Sequence, residues 1–547
     1  MKKSIIFFLL IFCLTPCLVS AERFFVERSH DKYERRSVNA KAQVTTNYLY
    51  FYFDNEWWEE IDEDKQNKYR DIAYNLGNEF EKTIYPQMTE IFGTHPEHSV
   101  SKEERVSILF HPMEETSGGY FSTGDQYSVY QYPRSNERNI LYLSTDIIEY
   151  SHLAGYLAHE YMHLVTFNEK NKKYRVTEEI WLNELRAEVV ATIFGYDEDY
   201  ENSNLQKRAS AFLRDPDISL TEWTEQLADY GVANIFAQYI IDHYGEVVLA
   251  DSLQSEFFGI PSIDYALYKN EIDKSFSDIF TDWKIAVYLN DCSYGEYYCF
   301  KNENLKDLRI QPTTIFITQR DSGIGEISYQ TKNWAGNWFR FVGGSGDFHL
   351  AFHGNRDFVV SYIVCEKEGS CTIKFLENEK SILIEDFNNT YESVTVIPSV
   401  QGKYIGFNGP EKTFPLRMEV EIKETNDEEK DYKEKLLQLL DVIERLAILL
   451  EVNLSQKEAI IILEKDLYYG MRGSKEVERL QRFLKNQGEE IYPEGLVTGN
   501  FLELTKKAVI RFQERYSQEI LAPLNLSKGT GYVGEYTREF INSFSEN

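Results

Sequence analysis

The sequence predicts a multidomain chain: an α+β domain over residues 44–300, a β-sandwich accessory domain over 308–425, a helical spacer over 430–465 and a small all-α domain over 466–547. Three observations carry this reading. Up to about residue 290, aromatic and β-branched runs alternate with long helical stripes. Beyond Leu308 the texture changes to short alternating runs separated by Gly, Asn, Asp and Ser, the pattern of a sandwich of short strands. Past Asp431 the stripe Leu436, Leu439, Leu440, Ile443, Leu446 and Leu450 marks a helix, and helical segments with Gly-rich turns follow it.

The chain begins with Met1-Lys2-Lys3, an apolar run from Ser4 to Leu18 and the small residues Val19-Ser20-Ala21. This is the form of a secretory signal peptide over 1–21, so the protein is expected to be secreted or held in the cell envelope. No later stretch has the length of a membrane span. A net charge of −31 disfavours nucleic acid and anionic membrane surfaces as partners. Outside the signal, Cys292 and Cys299 form a C-x6-C pair, and Cys365 and Cys371 a C-x5-C pair. In an oxidising compartment each pair is expected to close a small disulfide loop, with free or metal-binding thiols as the alternative.

Residues 22–43 are polar and without periodicity, and read as a disordered arm or a removable pro-segment. Tyr48 to Phe53 is an aromatic strand, Lys65 to Phe92 a long helix, Val106 to Phe110 a second strand and Asn139 to Leu143 a third. Ser117 to Phe121 lies between the last two and reads as a flexible turn.

The stretch His159-Glu160-Tyr161-Met162-His163 falls in a helical pattern from about Ile147 to Phe167. Positions i and i+4 share a helix face, so His159 and His163 can aim two imidazoles at one zinc ion. Glu160, beside the first ligand, can take a proton from a water that the metal activates. The same two histidines could instead simply pack, but Leu153, Tyr156, Leu157 and Leu164 make the helix apolar, and buried histidines need partners. A catalytic zinc takes three protein ligands. Glu184 is the candidate third, on a return helix that begins near Thr177 after a loop over 168–173. Glu188, one turn further, is placed to accept the free ring N–H of a ligating histidine.

H-E-Y-M-H followed by W-L-N-E-L-R-A-E resembles the gluzincin superfamily of zinc metallopeptidases, and within it the hyicolysin-like secreted metalloproteases, whose second helix reads W-x-N-E-G-x-A-E. The resemblance implies a zincin-like fold over the α+β part, His159, His163 and Glu184 as ligands of one Zn2+, and Glu160 as general base. Leu185 departs from the family's Gly. A gluzincin also implies a sheet edge that pairs with substrate backbone, assigned to Asn139–Leu143, and a Tyr or His that donates to the oxyanion, with Tyr230 first and His243 second.

The sandwich stretch carries no catalytic cluster, because His349 and His353 lie on strand-like sequence where an i,i+4 spacing does not converge. At the C-terminus, Gly473, Val477, Leu480-Gln481, Leu484, Val497-Thr498-Gly499, Ala508-Val509, Phe512-Gln513, Gly531 and Val533-Gly534 recur in an order similar to the three-helix peptidoglycan-binding domain of cell-wall hydrolases, with Leu502 where that family has Gly. The resemblances together imply an exported zinc endopeptidase acting on protein or peptide substrates and retained on peptidoglycan. A cell-wall-binding surface protein with a structural or non-proteolytic metal domain is the alternative.

Overall fold

In the computed structural model, the residues described are 21–97, 100–114, 117–317, 325–353, 358–376, 381–407, 409–423, 463, 465–524 and 526–544. Apart from Ala21 the signal peptide expected over 1–21 lies outside them, as does nearly all of the helical spacer expected over 430–465. The chain forms two compact units, Met1–Thr425 and Asn426–Asn547.

The first unit opens with strand, which corrects the disordered arm expected over 22–43. β1 (Glu22–Phe25) pairs antiparallel with β2 (Ser37–Thr45), and β2 with β3 (Leu49–Asp54). Between β1 and β2, Arg35 Nη2 lies 2.9 Å from Asp31 Oδ2 and 2.7 Å from Asp54 Oδ2. His111 Nδ1 sits 3.2 Å from Asp31. Both aspartates are buried, so this segment is tied to the sheet by charges that water does not reach.

Asp54 and Asp62 cap α1 (Asn55–Glu60) and α2 (Glu63–Glu79) by accepting backbone N–H bonds. The winding passes through a π turn at Phe80–Ile84 into α3 (Tyr85–Ile91), close to the long helix expected. Pro86, which has no N–H to give to the preceding turn, lies at this widening.

β4 (Val106–His111) runs parallel to β3, and β5 (Gly119–Tyr120) and β6 (Ile140–Ser144) complete the order β1-β2-β3-β4-β6-β5. β6 is parallel to β4, and β5 is antiparallel to β6. Side chains alternate across the sheet. Phe51, Phe53, Ile108, Phe110, Leu141 and Leu143 join the main helical core, while Tyr52, Leu109, Ile140 and Tyr142 join a smaller core with Phe24, Val38 and Ala40.

α4 (Leu153–Thr166) follows a short 3₁₀ turn at Thr145–Ile147, so it begins later than the sequence pattern indicates. Beyond it the chain does not loop over 168–173 but keeps winding as a π helix, Phe167–Tyr174, ending where Arg175 turns left-handed at φ 60°. The remaining helices are α5 (Ile180–Ile193), α6 (Asn204–Arg214), α7 (Leu227–Tyr244), α8 (Glu246–Leu253), α9 (Ile260–Lys269) and α10 (Phe276–Leu289). Capping boxes, Gln226 with Asp229 and Ser275 with Asp278, start α7 and α10.

A second curled sheet holds β7 (Thr313–Ile317), β8 (Gly325–Thr331), β9 (Phe339–Gly343), β10 (Gly346–His353), β11 (Phe358–Glu366), β12 (Cys371–Phe375), β13 (Ser381–Phe387), β14 (Tyr391–Val400) and β15 (Phe414–Lys423). Its main path is β12-β11-β14-β13-β10-β15-β8, with β9 and then β7 branching from β14. It is not an independent body. Trp334, Trp338, Ile363, Ile397 and Phe407 are buried in the same core as α4, α5 and α7. Glu179, the cap residue of α5, accepts from Trp181 Nε1 at 2.7 Å and from the backbone N–H of Gly406 at 2.6 Å. Cys292–Cys299 and Cys365–Cys371 are disulfides, the second joining facing positions of β11 and β12. Among the described residues no helix is long and apolar enough to cross a membrane.

The second unit has helices Lys475–Asn486, Glu503–Arg515, Ser517–Ile520 and Glu535–Ser543 around Leu480, Leu484, Val509, Phe512 and Ile541. One arrangement occurs twice. Gln481 Oε1 accepts from the N–H groups of Thr498 and Gly499 while its amide donates to Thr505 Oγ1. Gln513 Oε1 accepts from Thr530 and Gly531 while its amide donates to Thr537 Oγ1. Leu502 needs no glycine, because its φ of −106° is open to any residue.

Candidate metal centre

α4 is buried on nearly every side, and its two histidines meet one turn apart, with the Nε2 atoms 3.2 Å from each other. α5 packs against α4 and presents Glu184 to them, Oε2 3.4 Å from His159 Nε2 and Oε1 3.6 Å from His163 Nε2. Zinc–nitrogen and zinc–oxygen bonds of about 2.1 Å in a tetrahedron put neighbouring donors roughly 3.4 Å apart. The three separations match that edge length. Glu184 Oε2 is buried without a well-aligned hydrogen-bond donor. Among the described residues, this triad is the group whose ligand atoms lie close enough together to hold a metal ion, all within 4.8 Å.

The charges around the triad ask for a cation. Glu160, Glu184 and Glu188 are three enclosed carboxylates, of which Glu188 is held by the Arg208 guanidinium. Burial pushes Glu160 up to about 8, with Glu184 and Glu188 adding to the rise against the pull of His159. Burial works against charging His159, yet the surrounding carboxylates hold it at about 9. His163 is lowered, chiefly by burial. Burial opposes the ionised form of Glu184, but the two imidazoles win and its pKa falls.

Glu188 Oε1 lies 3.6 Å from His159 Nδ1, at ion-pair distance but beyond the hydrogen bond expected from the sequence. It is fixed there by residues the sequence reading did not single out. Arg208 on α6 donates from Nε and Nη2 at 2.8 Å each, Asn204 donates at 2.9 Å and Asn234 on α7 at 3.3 Å. The signal for Arg208 was present: it lies on the stripe of Leu205, Ala209 and Phe212, so a charged residue points inward.

Tyr230 is near the centre. Its ring packs edge-on against Trp223 at 4.7 Å and lies 4.6 Å beneath the Arg208 guanidinium. Burial, then the Glu184 and Glu188 charges, raise its hydroxyl pKa, so it keeps its proton. His243 is not brought to the site. It lies further along α7, about 20 Å at the rise of a helix, with Nε2 2.8 Å from the Cys299 carbonyl oxygen.

The sheet edge is β5 rather than the strand at 139–143, whose residues Tyr142 and Leu143 are paired with it. Two glycines look like a turn in the sequence, but here they let a strand pass close to the helix. A Cβ on Gly119 would lie 2.7 Å from the Tyr142 carbonyl oxygen and 3.0 Å from Glu160 Oε1, and one on Gly118 would lie 2.6 Å from the Tyr156 ring. His349 and His353 are in β10, far in sequence from the triad, and His353 pairs with Glu419 at 2.8 Å.

No family model matches the chain, and no curated protein matches it either. Among solved structures, PliG of Aeromonas hydrophila, a periplasmic inhibitor of g-type lysozyme, is 7% identical over 21% of this chain and 100% of its own, with a TM-score of 0.14. The Yersinia pseudotuberculosis-derived mitogen is 10% identical over 19% and 89%, also at 0.14. CorA, a surface-associated copper-binding protein of Methylomicrobium album BG8, is 7% identical over 20% and 98%, again at 0.14. Likeness at this level carries no argument about fold or function.

Proposed function

We propose that the protein is an exported zinc endopeptidase, retained at the cell wall by its C-terminal unit, and that its α+β part is zincin-like and its second sheet a β-sandwich accessory domain. The observation that carries the reading is the triangle of His159, His163 and Glu184 at zinc-ligand spacing with the Glu160 carboxylate beside it. A zinc ion held there would polarise a carbonyl and acidify a water. Glu160 accepts the proton of the attacking water and passes it to the leaving amine. Tyr230, protonated and near the three carboxylates, donates to the developing oxyanion. The outer edge of β5, beside Glu160, offers backbone groups to an extended peptide. The two disulfides and the signal-like N-terminus support export.

A second reading is a wall-binding surface protein whose metal domain is structural or non-proteolytic. The aromatic surface of the C-terminal unit supports the wall binding that both readings share: Tyr468 and Tyr532 are exposed and stacked at 6.3 Å, and Tyr469 is exposed nearby in sequence. One comparison separates the two. Native protein and Glu160→Gln are assayed for zinc and for cleavage of unstructured proteins. One zinc in each, with cutting by the native form alone, supports the peptidase. Zinc in both, no cutting by either, and sedimentation with cell walls supports the second reading. A native form without zinc removes the site assignment.

A further inference from the structure

Along the sheet edge from Gly119, the next residues line a cavity of about 390 Å³. Its walls include Tyr120, Phe121, Tyr127 and Tyr132, and Glu27 and His30 of the N-terminal segment close one side. The cavity's size is in the range of ligand pockets. At about 3.3 Å per strand residue, its lining from Tyr120 to Ser122 extends no more than about 10 Å beyond Gly119, the residue against Glu160.

The lining defines what fits. Tyr120 is sandwiched between His30, at 4.6 Å, and Tyr142, at 4.2 Å, so both its faces are taken. Lys172 already lies 5.7 Å from the Tyr127 ring centroid. Phe121 and Tyr132 are left to receive a guest, and Tyr132 folds over Gly124, where a Cβ would come within 2.4 Å of its ring. Among the described residues, Glu27 has no ion pair, and its Oε1 accepts a bond of 3.4 Å from Ser122 Oγ, which lines the same cavity. Arg28, next in the chain, is committed to Glu34. Glu225, just before α7, adds a second negative charge that reaches His30. Aromatic rings beside carboxylates that form no ion pair among the described residues select a long basic side chain, whose methylenes lie on the rings while its head meets the acid.

We propose that this cavity is a substrate side-chain subsite for lysine or arginine, placing a basic residue within three positions of the bond addressed by Glu160. The proposal rests on the peptidase reading for its place in catalysis, but binding can be tested apart from it. Fluorescent peptides with arginine or alanine at each of three positions on either side of a central bond are titrated onto full-length Glu160→Gln protein, and quenched versions are given to the native enzyme. The expected result is an arginine preference of about tenfold at one position in both assays. Glu27→Gln should reduce the arginine-to-alanine ratio to near one, and Glu27→Lys should shift preference to a glutamate peptide. Binding preference without cleavage would sustain the subsite and overturn the peptidase reading. Cleavage with equal ratios at every position, or ratios unmoved by Glu27→Lys, would overturn the subsite alone.

Discussion

Arg208 holds Glu188 with two parallel hydrogen bonds of 2.8 Å, and Glu188 in turn faces the ring nitrogen of His159 that points away from Glu184. The guanidinium therefore bears on the candidate metal site through two intermediaries, Glu188 and His159. Arg208→Ala leaves a fully buried carboxylate with only amide donors. Loss of such support costs about 10- to 100-fold in metal affinity. A zinc competition titration should show that loss, with Arg208→Lys falling between the two. Unchanged affinity in Arg208→Ala would remove Arg208 from the site.

Gly119→Ala places a methyl between the Tyr142 carbonyl and Glu160. The edge strand must move outward, away from Glu160. Displacements of about 1 Å in an active site cost on the order of 10²-fold in rate. On the peptidase reading, hydrolysis should fall by about that factor while zinc content stays at the native level, since the atoms nearest the added methyl belong to Tyr142 and Glu160 rather than to His159, His163 or Glu184.

Arg35 is the cation for two buried aspartates. Removing one partner of a buried pair costs about 3–5 kcal/mol, so Arg35→Met should lower the thermal midpoint sharply. A truncation of residues 22–41 should fail to fold, which a removable pro-segment would not cause. Burial resists charging Asp31, but bonds from His111 and Arg35 overcome it and lower its pKa. Its contribution is present above its ordinary value of 3.8 and is lost as pH falls below that, on the way to its lower folded value.

Lys284 is fully buried against the second sheet, Nζ 2.6 Å from Ser399 Oγ, and burial lowers its pKa from 10.5 to about 7. Between those two values the unfolded chain binds a proton that the folded chain does not. Stability from this group therefore rises with pH across that window. Comparing denaturation midpoints of native protein and Lys284→Met, the native form should gain on the variant from pH 7 to pH 10. Parallel midpoints across the range would show that Lys284 stays charged.

The parts of this molecule readable in its sequence are those set by local spacing. His159, Glu160 and His163 depend on one helix turn, and the paired cysteines on six or seven residues of chain. β3, β4 and β6 announced themselves because strands buried on both faces read as near-continuous apolar runs. What the sequence hid was non-local. β5 is two residues long and exists only because β6 accepts it. β2 buries just Val38 and Ala40, too little apolar rhythm to distinguish a strand from an arm. The π winding after Thr166 carries the Asn and Lys composition of a loop, and its shape comes from packing.

The two glutamines of the C-terminal unit have a consequence for how that unit can be built. The interval from Gln481 to Gln513 is also the interval from Thr498 to Thr530 and from Thr505 to Thr537. Helix Glu503–Arg515 thus holds both halves of the device, receiving through Thr505 and giving through Gln513. That helix is the end of one module and the start of the next, as in arrays whose neighbours share an interface. Such a unit cannot be divided at its middle without stranding a glutamine.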